Sequence, residues 1–150
     1  AIGHTEDRQI ICDLVRERRG SPGAIVAEYA KLLREYKLAT VTGDKYAGDW
    51  PAQEFARHDI RYSHSAKPKS DLYVDALNAL NSERAELPPS NKLMTQFVGL
   101  ERRTSRAGKD SIDHAPNAHD DLANAAAGLI SIASVRRKPH SQTLAVGGCY

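Results

Sequence analysis

Two groups of carboxylates stand out in this sequence of 150 residues. His119-Asp120-Asp121-Leu122-Ala123, continued by Asn124 and a run of alanines, sets two adjacent acids at the first turn of a predicted helix whose other face is small and apolar. Asp44 stands in Val41-Thr42-Gly43-Asp44-Lys45-Tyr46, where a short apolar strand ends in a glycine. Hard divalent cations take carboxylate oxygens that different chain segments bring to one point. An acid at a strand end and another at a helix start is therefore how a metal-dependent nuclease can hold its cations. Plainer readings stand beside this one: Asp44 as an ordinary turn aspartate, and Asp120-Asp121 as the cap or dipole partner of the last helix. What favours the metal reading is the company of Asp113-His114 and His119 on the same short approach.

The elements that must position these residues follow from periodicity. Ala1–His4 and Gln9–Val15 read as two strands joined by the polar turn Thr5-Glu6-Asp7-Arg8. Ser21 with Pro22 opens a helix to about Tyr36, with Ile25, Val26, Tyr29, Leu32, Leu33 and Tyr36 at helical spacing, a stripe read as core packing. Leu38–Thr42 is a predicted strand, Pro51–His58 a short helix and Ile60–Ser63 another strand. Ser70–Asn81 is a helix whose apolar side is Leu72, Tyr73, Ala76, Leu77 and Leu80. Ala85–Leu87 reads as an edge strand stopped by Pro88-Pro89, and Asn91–Leu100 as a helix. The polar stretch 101–118 holds a strand near Arg103, Asp120–Val135 is the last helix, and the remainder is a loose basic tail. Strands alternating with helices predict an α/β domain, and the leading strand pair predicts a mixed sheet.

Composition narrows the setting. A chain that is 41% hydrophobic and of this length is expected to bury one core, as a domain over residues 1–135 followed by a flexible tail over 136–150. Lys and Arg number 21 against 19 acids, so the formal net charge of +2 excludes a histone-like coat. The cations are clustered, however, in Arg16-Glu17-Arg18-Arg19, Lys67-Pro68-Lys69, Arg102-Arg103 and Arg136-Arg137-Lys138, and such clusters bind phosphates or serve as solvated loops and helix ends. Cys12 and Cys149 lie far apart, which argues against a disulfide framework and a zinc site. No apolar run is long enough for a bilayer and no signal-peptide pattern opens the chain, so a cytoplasmic setting without a membrane is expected.

Five stretches in order carry a resemblance: Gly43-Asp44-Lys45-Tyr46-Ala47-Gly48-Asp49-Trp50-Pro51, Ser65 through Lys69-Ser70-Asp71-Leu72-Tyr73, Leu100-Glu101-Arg102-Arg103-Thr104, Asp110-Ser111-Ile112-Asp113-His114, and His119-Asp120-Asp121-Leu122-Ala123-Asn124-Ala125. Together they resemble the C-terminal nuclease domain of the large terminase subunit of tailed phages and prophages. The resemblance spans roughly residues 1–135. It implies an RNase H-like mixed sheet flanked by helices and an endonuclease that cuts double-stranded DNA during genome packaging in the bacterial host. It also implies two Mg²⁺ or Mn²⁺ ions held by Asp44, Asp120 and Asp121, with Asp120 ahead of Asp121. Lys67, Lys69, Arg102 and Arg103 would grip the DNA backbone, and Asp113, His114 and His119 would orient ligands or water. The portal and the small terminase subunit are the partners implied for the parent protein.

The chain departs from that family in two respects. A terminase nuclease carries its first acidic motif on an opening strand, which would lie upstream of Ala1–His4. No residue here replaces it, so the fold is expected to be truncated at its N-terminal strand, with unpaired sheet groups there. There is also no Gly-x-x-x-x-Gly-Lys-[Ser/Thr] loop, so the packaging ATPase is not in these residues. Two readings follow: an excerpt of a terminase nuclease, or a catalytically inactive prophage remnant that keeps the fold and binds DNA or a protein. A Holliday-junction resolvase shares the acid pattern, but it gives no reason for Asp44–Trp50 or Leu100–Thr104.

Overall fold

The computed structural model describes residues 1–44, 48–104, 110–135 and 144–147. Strands β1 (Ile2–Glu6) and β2 (Gln9–Leu14) form an antiparallel hairpin. Its turn residues Asp7 and Arg8 both have positive φ, 46° and 72°, the backbone that matches the twist of a two-residue hairpin. Helix α1 (Pro22–Glu35) begins after Ser21 with proline in its first turn and buries Val26, Ala30 and Leu33 at spacings of four and three. Strand β3 (Thr40–Gly43), helix α2 (Trp50–Ala56) and strand β4 (Arg61–His64) follow, with β3 and β4 parallel. Helix α3 (Lys69–Asn81), strand β5 (Ala85–Glu86) and helix α4 (Asn91–Val98) lead into a hairpin of β6 (Leu100–Thr104) and β7 (Asp110–His114). The final helix, α5, spans Asp121–Val135, and Leu144–Ala145 is strand β8.

The sheet is mixed, as expected. Its first part runs β5-β2-β1-β8. A parallel bridge between Thr42 and Val146, reinforced by Gly147 N–H donating to the Thr42 carbonyl at 2.8 Å, ties β8 to β3 and so to β4. This corrects two expectations. Residues 144–147 are not a loose tail: Leu144, Ala145 and Val146 are buried in the sheet. Nor is the outer edge of β1 left open at its start, because Ile2 and Gly3 pair with Ala145 and Leu144. Residues 136–143 and 148–150 of the expected tail lie outside the described residues.

Each face of the sheet carries its own core, and the alternation of a pleated strand sorts the residues between them. Ile2, Val41 and Ala145 join Val26, Ala30, Leu33, Phe55 and Ile60 beneath α1 and α2. Ile10, Cys12, Leu144 and Val146 join α3, α4 and α5 on the other side. Burial pushes the Cys12 thiol up to about 11, so it stays protonated at neutral pH and packs as a small apolar side chain in that core.

Helix α5 is buried nearly all round, with Ala123, Ala126, Ala127, Leu129 and Ile130 at 0% exposure. Its close approach to the sheet depends on two glycines. A Cβ on Gly3 would stand 2.3 Å from the Ile11 carbonyl and 2.6 Å from Leu129, and one on Gly128 would stand 2.9 Å from Val146. The apolar side expected for α3 shifts accordingly: Leu72, Tyr73, Ala76 and Ala79 are buried, while Leu77 is 54% exposed. The small Ala76 and Ala79 let the α3 backbone come close to α5, where a leucine would hold it away.

Candidate metal centre

The centre is built where the start of α3, the end of β7 and the start of α5 meet. Ser70, one residue into α3, docks the hairpin: its hydroxyl accepts from Ile112 N–H at 3.0 Å and donates to the Ile112 carbonyl at 3.4 Å. That register sets Asp113 of β7 against Lys69, whose ammonium donates to Asp113 Oδ1 at 2.7 Å. The same ammonium lies 2.7 Å from Asp120 Oδ2, which also accepts the Tyr73 hydroxyl at 2.6 Å. One ammonium thus joins carboxylates delivered by two segments.

Asp120 is free for this role because another residue caps the helix it precedes. The Asp120 carbonyl accepts Asn124 N–H at 2.7 Å, so Asp120 holds the N-cap position. The orphan N–H groups of Leu122 and Ala123 donate instead to Gln96 Oε1 of α4, at 2.8 and 3.0 Å. The side chain of Asp120 is therefore not the cap that the plainer reading required. It is 7% exposed, and its charge is matched by Lys69 rather than by water.

Electrostatics follow this geometry. Partial burial alone would lower the pKa of Lys69, but Asp113 and Asp120 outweigh it and raise the value above the ordinary 10.5. Lys69, together with the His114 N–H at 2.9 Å, holds Asp113 below its ordinary 3.8. Burial, helped by Asp120, pushes the Tyr73 hydroxyl far above its usual range, so it is a fixed donor. His114 Nδ1 faces the Ala115 carbonyl at 2.8 Å. A carbonyl only accepts, so Nδ1 carries the proton in the neutral ring and Nε2 keeps its lone pair.

Asp113, His114 and Asp120 each offer a ligand atom, all within 4.8 Å of one another. Two carboxylates and an imidazole suit a hard or borderline divalent ion. A further oxygen donor lies nearby. The buried Oδ1 of Asn124 has no hydrogen-bond partner among the described residues, and Asn124 shares a small cavity with Asp44 and Lys69. The residues thus fit a cation of the expected kind.

The other expected residues are placed as follows. Asp44 directly follows β3 and lines that cavity with Lys67, Lys69 and Gly147, outside the tight donor trio. Asp121, although adjacent to Asp120, faces an open cleft of about 390 Å³ that it shares with His119, Arg18, Arg19 and Lys92. Lys67 donates to Asp75 at 2.5 Å, and Arg103 pairs with Glu101 at 2.9 Å on one face of β6, with the exposed Arg102 between them in the chain. Sequence reading missed Gln96 and Tyr73. The signal for Gln96 was a glutamine three residues after Leu93, on the buried side of α4; that for Tyr73 was a phenol inside an apolar stripe.

No protein-family model matches the sequence, and no curated protein matches it. The large terminase nuclease of thermophilic phage G20c superposes on the chain with TM-score 0.67 at 19% identity, covering 78% of this chain and 64% of that one. The fold is that of a terminase nuclease domain. A second terminase nuclease structure from phage G20c, with bound magnesium, gives TM-score 0.64 at 20% identity over 75% of this chain and 62% of that one. The large terminase nuclease domain of Thermus phage P74-26 gives TM-score 0.66 at 15% identity over 89% of this chain and 67% of that one. The chain spans somewhat under two thirds of the length of the phage G20c terminase nucleases. No described helix is long and apolar enough to cross a membrane.

Proposed function

We propose that this chain is a metal-dependent endonuclease domain of the phage terminase type, acting on double-stranded DNA. The observation that carries the reading is the trio Asp113, His114 and Asp120, drawn together by Lys69 in a terminase nuclease fold. In this proposal Asp120 would hold Mg²⁺ or Mn²⁺, Asp44 would add a carboxylate from the residue after β3 across the cavity it shares with Lys69 and Asn124, and Asp121 would act from the neighbouring cleft. Asp113 and His114 either join as ligands or orient them, and His119 lines the approach. A pair of bound cations would supply an activated water and a stabilised leaving oxygen.

The chain's own residues do the rest. Tyr73 fixes the Asp120 carboxylate, and Gln96 holds the α5 terminus that presents it. Lys67, Arg102 and Arg103 would meet the phosphate backbone, which makes binding salt-dependent and largely independent of sequence. The nuclease unit comprises residues 1–135 together with Leu144–Gly147, which return to the sheet between β1 and β3. Genome packaging with a portal and a small subunit, in the bacterial cytoplasm, is the setting proposed for the parent protein.

One observation favours the second reading, an inactive remnant that still binds DNA or a protein. The segment paired beside β1 is Leu144–Gly147, and it brings no carboxylate to the middle of the sheet. Nicking of supercoiled plasmid with Mn²⁺ separates the two. Cleavage by the parent chain that disappears in Asp44→Asn and Asp120→Asn supports the nuclease. A folded sample that binds Mn²⁺ and DNA without cutting supports the remnant. A folded sample that binds neither overturns both.

A further inference from the structure

We propose that Lys69 is a resident cation of the centre, which a divalent metal ion must displace before it binds Asp113 and Asp120. The inference rests on the reading of Asp113, His114 and Asp120 as a cation centre, and it assigns Lys69 a role other than DNA contact.

Three observations carry it. The ammonium lies 2.7 Å from one oxygen of each carboxylate, Asp113 Oδ1 and Asp120 Oδ2, so a metal ion that binds the two carboxylates at those oxygens cannot share the place with the lysine. Lys69 is also the first residue of α3, where the helix dipole disfavours a positive charge, so the two aspartates are what holds the ammonium there. Finally, the neighbouring Lys67 has its own partner in Asp75 and does not compete for the pair. Ser70 pins the start of α3 to β7, so the Lys69 backbone stays in place while its flexible stem swings the ammonium away. A divalent ion then meets two carboxylates and an imidazole, and the charge it must overcome on entry is that of one lysine.

Mn²⁺ binding to metal-free protein, followed by loss of the free-ion electron paramagnetic signal and by calorimetry, tests this without any cleavage assay. Lys69→Met and Lys69→Gln are expected to bind Mn²⁺ roughly tenfold more tightly than the parent chain, since they remove a like charge a few ångströms from the ion. Lys69→Arg keeps the charge and is expected to bind no more tightly than the parent. Circular dichroism establishes that each variant is folded, and either neutral variant suffices. Equal or weaker binding by the neutral variants, while the parent binds and Asp120→Asn does not, overturns the displacement and leaves the cation centre standing. Absence of binding by parent and neutral variants alike overturns the displacement and the cation centre together.

Discussion

The two faces of the sheet are built from different materials. Beneath α1 and α2 lie branched and aromatic side chains, Val26, Leu33, Val41, Phe55 and Ile60. Beneath α5 the spacing is set by alanines and by Gly3 and Gly128, and the helix start ends in a network of Asp120, Lys69, Tyr73 and Gln96. Large side chains fill space and tolerate adjustment. Small ones bring backbones close, so that helix termini from distant segments meet at hydrogen-bond distance. The chemistry sits on the face that allows that approach.

The strongest way to break this contrast is to thicken the close face and thin the other. Gly3→Ala drives a Cβ into the Ile11 carbonyl and Leu129, and about 3 kcal/mol or more of stability is expected to be lost. Leu33→Ala on the opposite face is expected to cost about 2–5 kcal/mol through its cavity. Chemical denaturation measures both. Mn²⁺ affinity of the folded fraction should survive in Leu33→Ala and fall in Gly3→Ala, and a fall of equal size in both would erase the contrast.

Gln96→Ala tests the cap that frees Asp120. It leaves the Leu122 and Ala123 N–H groups without their acceptor, at an expected cost of about 1–3 kcal/mol. Unlike Leu33→Ala, it should also weaken Mn²⁺ binding, because the helix start would draw Asp120 back as its own cap.

A smaller effect is expected from pH. Lys69 holds the Asp113 pKa below 3.8, so the ion pair stabilises the fold above that value, and the contribution is lost as pH falls through the depressed folded value. Half-exposed, Asp113 contributes below about 1 kcal/mol. The melting-temperature difference between the parent and Asp113→Asn should be present at pH 7 and close under strongly acidic conditions; a difference that widens there would reverse the assigned sign. At the bottom of the range, Arg57→Ala removes an exposed pair with Glu54 and should change stability by less than about 0.5 kcal/mol with no effect on metal binding.

Much of this architecture was legible in local pattern. The β1–β2 hairpin, α1 with its proline start, α3, α4 and α5 all followed from spacing of apolar residues within one element, because each depends on neighbours a few positions away. Asp113, His114 and Asp120 were also picked out as candidates by their types and closeness in the chain. The polar stretch from Leu100 to His114 was harder to read: its strands carry little apolar alternation, and β7 docks through Ser70 and the single apolar residue Ile112.

What the sequence by itself determined is therefore most of the elements, β7 and β8 apart, and a set of candidate acids. Tertiary structure alone decided that Leu144–Gly147 returns to pair with β1 and β3, since strand pairing has no sequence period linking residues more than a hundred positions apart. It decided that adjacent Asp120 and Asp121 point to different surroundings, because Gln96 arrives from α4 to take the cap. It also turned Lys69 from a basic residue near DNA into the ammonium between two carboxylates, because a charge finds its partner through space and not along the chain.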